Sequence, residues 1–276
     1  MNKRRASRGP ADLNWKTPCV INRVSDPSPI IMSGLNLQSI MPYPGRLIII
    51  GASTEAEKVI VAYAVTGRSA ASQARRLTFE GSAVWTEPLG DDAFNKGNAD
   101  LLIYRAIAID RMIAVSNGRQ TDDIAKVLKK VGQEDRPEDI LARALENWTY
   151  EPDGPHFTPR ISGCVLTGGA AGLSLIKRGG DGARLASFTS WALDPGQGRL
   201  IATYSGPEEN PLPSFSGEPI AVEVGRATAR DMAEAVYQAL KPGVPEKDYR
   251  VAVACISALR ANLRNYDVYL INRREG

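Results

Sequence analysis

Histidine is almost absent from this chain: His156 is the only one in 276 residues. A Ser-His-Asp or Cys-His catalytic set must therefore use His156 or be missing, and histidine-rich metal sites are excluded. Cysteine is scarce as well. Cys19, Cys164 and Cys255 lie far apart and include no Cys-x-x-Cys pair, which argues against a zinc site. Cys164 and Cys255 sit in apolar runs and read as buried core thiols. No apolar run approaches the ~18 residues a membrane helix needs. The basic start has no apolar segment behind it and so does not read as a secretory signal; a soluble, cytoplasmic chain is expected. There is no Walker sequence and no Gly-x-Gly-x-x-Gly, so no motif points to ATP or a dinucleotide. Net charge is only +3, and Lys3, Arg4, Arg5 and Arg8 crowd the first eight positions. The remainder is close to neutral, which disfavours a nucleic-acid binder.

What is present is an order of elements. Residues 1–35 are basic and Pro-rich and read as a flexible extension, with residues 36–276 as a single domain. Ile30–Ile40 is apolar enough to pack on that domain. Leu47–Ile50 and Val59–Val65 read as an antiparallel hairpin turning at Glu55–Lys58. Ser69–Leu77 is expected as a helical turn or loop. Leu101–Ile107 and Met112–Val115 form a second hairpin, and Asn117-Gly118 signals a turn. Thr121-Asp122-Asp123 then opens a helix, with Thr121 as the capping residue and Ile124, Val127, Leu128 and Val131 at helical spacing. A second helix starts at Asp135-Arg-Pro137 and aligns Ile140, Leu141, Ala144, Leu145 and Trp148. Trp148–Gly163 is a polar loop. Strands follow at Ser162–Leu166, Leu173–Lys177, Ala186–Thr189, Leu200–Tyr204 and Ile220–Val224. Thr228-Ala-Arg-Asp231 resembles a capping box opening a third helix through Leu240. Tyr249–Ile256 and Tyr266–Asn272 close the chain as strands. Antiparallel strands with helices in blocks imply an α+β sandwich, two stacked sheets with helices outside.

Four constellations can carry chemistry. Arg46 and Gly67-Arg68-Ser69 flank the first hairpin; Arg offers forked, charge-assisted donors to phosphate or carboxylate, and glycine lets the backbone come close. Ser116–Asp122 runs from a turn into a helix start that favours anions, with Asn117 and Thr121 as neutral donors or acceptors. Glu151 is a possible acid or base in the long loop, with Thr158, Arg160 and His156 nearby. Tyr104-Arg105 is a polar pair in an apolar strand, and Arg105 should face a cavity or a carboxylate. Each also has a plain structural reading: solvated strand-end arginine, ordinary capped turn, exposed loop.

The segments YPGR, TGRS, LLIYRAI, VSNGRQTD, YEPDGPHFTPRISG and NPLPSF, in this order, resemble the bacterial branch of the IMP cyclohydrolase-like family. The resemblance runs from about Tyr43 to Phe215. It implies an Ntn-hydrolase-like fold, a four-layer αββα sandwich of two antiparallel sheets with helices outside. It also implies an activity: formamido-imidazole-carboxamide ribotide closes its second ring and loses water to give IMP, a step of purine biosynthesis that needs no metal and no redox cofactor. Carried over, Arg46, Arg68 and Ser69 would hold the phosphate or polar end of the substrate. Tyr104 and Arg105 would line the cavity floor. Asn117 and Thr121 would bind the ring or ribose, and Glu151 would move protons beside Thr158 and Arg160. The catalytic set implied is thus Glu151, Tyr104 and Arg105. The expected partner is a small ribotide, with no nucleic acid, membrane or metal; a homo-oligomer is left open. Two other functions fit the same fold: a purine-nucleotide-binding protein without chemistry, and an amide hydrolase. Where the family pattern often reads GxGHFIHTY, this chain reads Gly196-Gln-Gly-Arg199-Leu-Ile-Ala202-Thr-Tyr, so Arg199 and Ala202 stand in place of histidines. The first strand also begins well inside the chain and offers no terminal nucleophile unless the chain is cleaved near Pro42.

Overall fold

The computed structural model describes residues 30–31, 37, 41–90, 103–132, 134–225, 228–244 and 247–274. In chain order, the strands are β1 (Ile30–Ile31), β2 (Arg46–Ala52), β3 (Lys58–Thr66), β4 (Arg75–Glu80), β5 (Ala83–Pro88), β6 (Tyr104–Ile109), β7 (Ile113–Ser116), β8 (Arg160–Val165), β9 (Ala170–Arg178), β10 (Arg184–Ala192), β11 (Gln197–Ala202), β12 (Ile220–Glu223), β13 (Arg250–Leu259) and β14 (Asn262–Asn272). The helices are α1 (Ala70–Gln73), α2 (Gln120–Leu128), α3 (Pro137–Ala144) and α4 (Ala229–Ala239). The first sheet runs β1-β12-β11-β2-β3-β13-β14, and the second runs β10-β9-β8-β7-β6-β5-β4. The second sheet is an antiparallel meander throughout. In the first, the two-residue β1 pairs parallel to β12 and every other pairing is antiparallel.

The layering follows from which faces are apolar. β2 and β3 read as nearly continuous apolar runs, Leu47–Ile50 and Val59–Val65, because both of their faces are buried. Their inner face meets the second sheet. At Gly163 on β8, a Cβ would lie 2.7 Å from Ile50 Cδ1, so the absent side chain is what lets the sheets approach here. The outer face of the first sheet is covered by α4 through Met232, Ala233 and Val236. The outer face of the second carries α2 and α3, whose Ile124, Leu128, Ile140 and Leu141 cover Ala108, Ala114, Cys164 and Ile176. The result is an α+β sandwich of four layers, helix, sheet, sheet, helix. Cys164 and Cys255 are fully buried, and burial pushes the Cys164 thiol up to about 12.

Several expectations change. Ser69–Leu77 opens with the expected helical turn, α1, but from Arg75 it is strand: Arg75 begins β4, which turns at Gly81-Ser82 and returns as β5. Both turn residues have positive φ, 57° and 61°, the pattern of a tight hairpin. Two arginines at the head of β4 hid the alternation that follows. Thr121 is not the residue before the helix but its second member; Arg119 takes the capping position without a side-chain cap. Ile30–Ile31, the start of the stretch expected to pack on the domain, pair with β12 of the first sheet. The rest of the 1–35 extension, together with Leu101–Leu102 of the second hairpin, lies outside the described residues. Among the described residues, no helix is long and apolar enough to cross a membrane.

Candidate active site

The site is built where β2 enters the sandwich. Gly45 has φ +68°, and a Cβ there would sit 2.2 Å from Thr203 Oγ1 and 2.8 Å from the Tyr204 ring. Both conformation and space demand glycine. The turn is pinned by Thr66, whose backbone N–H and hydroxyl both donate to Gly45 O, at 2.8 and 2.9 Å, and by Thr203 Oγ1, which donates to Pro44 O at 2.8 Å. Arg46 therefore starts the strand with its guanidinium directed inward. Its Nη1 donates to Gly45 O at 3.2 Å and Thr66 O at 3.0 Å; its Nε donates to the Tyr104 hydroxyl at 3.4 Å. That hydroxyl lies 2.8 Å from the Tyr63 hydroxyl, and both rings are buried. Burial opposes the Arg46 charge, the facing Tyr104, Tyr63 and Tyr43 hydroxyls favour it, and the balance holds its pKa above the ordinary value. Burial likewise pushes Tyr63 up.

Arg46 shares its cavity, about 440 Å³, with two more arginines. Arg68 is exposed at the mouth, its guanidinium 4.9 Å from the centre of the Tyr43 ring. Tyr43 stacks on Tyr204 at 5.9 Å and meets Tyr249 edge-on at 5.4 Å. Arg75 comes from the head of β4. Its Nε and Nη1 are inaccessible to solvent and have no hydrogen-bond partner. Burial first, and the Arg46 charge second, bring its pKa down to about 10.

The opposite wall is the loop between α3 and β8. Glu151 is held there by its own N–H, which donates to Thr158 O at 2.9 Å. Its carboxyl is nearly buried. Desolvation raises its pKa, the Arg160 charge opposes this, Asp153 adds to it, and the value settles at about 7. Arg160 Nη1 lies 3.5 Å from Glu151 Oε1 and stacks over the Trp148 ring at 4.8 Å. Arg160 is in turn fixed by Thr149 O at 2.8 Å and Gln120 Oε1 at 3.1 Å. Asp153, Thr158 and Tyr204 form a chain: the Thr158 hydroxyl bonds Asp153 and lies 2.6 Å from the Tyr204 hydroxyl. A second cavity, about 340 Å³, lies behind Glu151; Glu151 and Asn117 line both, and Arg160 and Trp148 line the rear one.

Arg46, Arg68, Ser69, Asn117, Glu151 and Thr158 thus line one cavity. Tyr104 reaches it through Arg46. Arg105 does not share that floor. Adjacent strand residues point to opposite faces, and Arg105 pairs with Asp122 at 2.5 Å on the outer, helix-covered side, where it lines a different cavity. The carboxylate expected to face Arg105 is there, but away from Glu151. Thr121 is fully buried and bonds Ser116 Oγ at 2.5 Å and Gly118 O at 3.2 Å; it shapes the turn and lines neither the Arg46 cavity nor the one behind Glu151. Asn117 uses its amide mainly within the protein, accepting from Gln120 and Ile161 N and donating to Pro159 O. Arg160 sits behind Glu151, on the rear cavity. Ser69 caps α1 through Ser72. Arg199 and Ala202, the two departures from the family pattern, line neither cavity. Arg75, Thr203 and Tyr204 line the cavity without standing in any of the constellations legible in the sequence, and Asp153, beside Glu151 in the loop, and His156, whose Nδ1 lies 3.5 Å from Leu212 N, line it too. The alternation Arg75–Glu80 and the polar Thr203-Tyr204 pair ending an apolar strand were the available signals. Among the described residues, no three His, Cys, Asp or Glu side chains are placed to hold a metal ion.

From Tyr43 to Arg260, residues 43–260, the chain matches the family model described as IMP cyclohydrolase-like protein. The chain belongs to the IMP cyclohydrolase-like family. A search of curated proteins found no match. In this IMP cyclohydrolase-like protein the whole cavity, from Tyr43 to Leu212, falls inside the matched span.

Proposed function

We propose that the protein is a cytoplasmic IMP cyclohydrolase of purine biosynthesis, closing 5-formamidoimidazole-4-carboxamide ribotide to IMP with release of water. The observation that carries this reading is Glu151, a nearly buried carboxyl with a pKa of about 7, facing a cavity lined by three arginines and an aromatic wall. Such a group accepts and returns protons near neutral pH. In the first step the carboxamide nitrogen attacks the formyl carbon; the new C–N bond forms as the formyl C=O double bond opens, the nitrogen gives a proton to Glu151, and Glu151 passes it to the formyl oxygen, leaving a carbinolamine hydroxyl and an ionised Glu151. In the second step the former formamide nitrogen gives its proton to Glu151, the C–O bond breaks, the hydroxyl leaves as water with that proton, and the ring C=N bond forms. Both reacting groups belong to one molecule, so a cavity that holds them within attack distance contributes much of the rate, with effective concentrations reaching roughly 10⁵ M or more. This chemistry calls for no metal or redox group. Arg160 tunes Glu151 from behind, and the Tyr43–Tyr204 wall suits a flat heteroaromatic ring.

The test is cyclisation of the formamido ribotide followed by ultraviolet absorbance. The wild-type chain turns it over, and Glu151→Gln is slower by roughly 10²–10⁴-fold. A protein that binds IMP yet leaves the ribotide open sinks the reading.

A further inference from the structure

Arg75 lines the cavity with two buried donors that no acceptor among the described residues meets. Its Nε and Nη1 are shut off from solvent without an acceptor, whereas buried donors in proteins are almost always paired. Burial and the neighbouring Arg46 charge both weaken its hold on its own proton. Three guanidinium groups, Arg46, Arg68 and Arg75, face two carboxylates, Glu151 and Asp153, and Asp153 is already engaged by Thr158. Two arginines lining one cavity, Arg75 with unpaired donors beside Arg46, match a ligand that brings two negative charges and several acceptor oxygens. The mouth is a poorer seat for such a group. Ser69 Oγ is occupied by Ser72, accepting its N–H at 3.1 Å and lying 3.0 Å from its hydroxyl, and Arg68 is packed on the Tyr43 ring.

We infer that Arg75, with Arg46, forms the seat for a phosphate monoester dianion deep between the sheets, and that Arg68 and Tyr43 at the mouth meet the uncharged part of the ligand. This rests on the ribotide reading above and moves the phosphate away from Arg68 and Ser69. A nucleoside without phosphate leaves the Arg75 donors unanswered and binds weakly.

Calorimetric titration of the full chain with IMP and with inosine tests it, because binding needs no turnover. Wild type binds IMP at least about 100-fold more tightly than inosine, and inorganic phosphate competes with IMP. Arg75→Met weakens IMP about 10- to 100-fold and changes inosine by less than about twofold. Arg75→Lys, which keeps the charge without the fork, falls between them. Arg68→Ala weakens IMP and inosine alike. The melting temperature of ligand-free Arg75→Met equals or exceeds that of wild type, since an unpaired buried charge has been removed. The inference is overturned if Arg75→Met titrates IMP like wild type, if it loses IMP and inosine equally, if its ligand-free melting temperature falls, or if Arg75→Lys does no better than Arg75→Met. A chain that binds IMP through Arg75 but does not cyclise the ribotide would sink the reaction alone. Normal cyclisation by Arg75→Met would sink the seat alone.

Discussion

At the residue scale, Glu151 ties activity to pH and pH to stability. As the proton acceptor of ring closure it works when ionised, so kcat rises with pH through about 7, and Glu151→Gln loses that limb. Arg160 lowers the Glu151 pKa, so Arg160→Met moves the limb to higher pH; a pH–rate profile of both variants checks the pair. Stability has its own sign. The folded-state pKa is raised above that of the unfolded chain, so between about 4.5 and 7 the folded protein holds the extra proton. Stability falls as pH rises through this window, by on the order of 3 kcal/mol when the shift is complete. Denaturant titrations at pH 5 and pH 8 should show the fall in wild type and much less of it in Glu151→Gln. The residue types were readable beforehand: a carboxylate in a polar loop and arginines beside glycines. Arg105 was misplaced because reading Tyr104-Arg105 as a unit ignores that neighbours on a strand face opposite ways.

At the element scale, local chemistry was legible where it is short-range. The Thr228–Asp231 capping box forms in full: Asp231 N donates to Thr228 Oγ1 at 3.1 Å, and Thr228 N donates to Asp231 Oδ2 at 3.1 Å. Thr228→Ala should lower stability by about 1 kcal/mol, a fall of roughly 2–4 °C in Tm, with kcat unchanged, because α4 covers the outer face of the first sheet and not the cavity. Thermal melts beside the cyclisation assay separate the two effects. The turn before β2 behaves oppositely. Gly45→Ala adds a Cβ against Thr203 and Tyr204 at φ +68°, so it should disturb Arg46 and the Tyr43–Tyr204 stack together, weakening IMP binding as well as the fold. In the sequence, Pro44-Gly45-Arg46 announces a turn; that Thr203 lies against it, 158 positions on from Gly45, depends on β11 pairing beside β2. The β4–β5 hairpin is faint in the sequence because β4 carries charge at both ends, Arg75-Arg76 and Glu80, and buries only Leu77.

At the scale of the whole molecule, the approach of the two sheets is what makes a cavity. Gly163→Val would drive a side chain into Ile50 and Leu173, and overpacking of this kind costs about 1–3 kcal/mol. A lower Tm with weakened IMP binding is expected, measured by melting and titration, since the sheets that carry Arg46 and Glu151's supporting strand β8 are pushed apart. By itself the sequence determined the helices, most strands, the antiparallel sandwich and the family, because periodicity, caps and turns act over a few residues and the motif order survives unfolded. Only the tertiary structure decided which polar groups meet. Arg46 opens a strand of the first sheet and Arg75 a strand of the second, Glu151 comes from a loop and Tyr204 from just past β11, and their burial, pairing and charge are properties of the packed sheets and of no stretch alone. Packing alone set Arg75 against the cavity with its Nε and Nη1 shut off from solvent and without an acceptor.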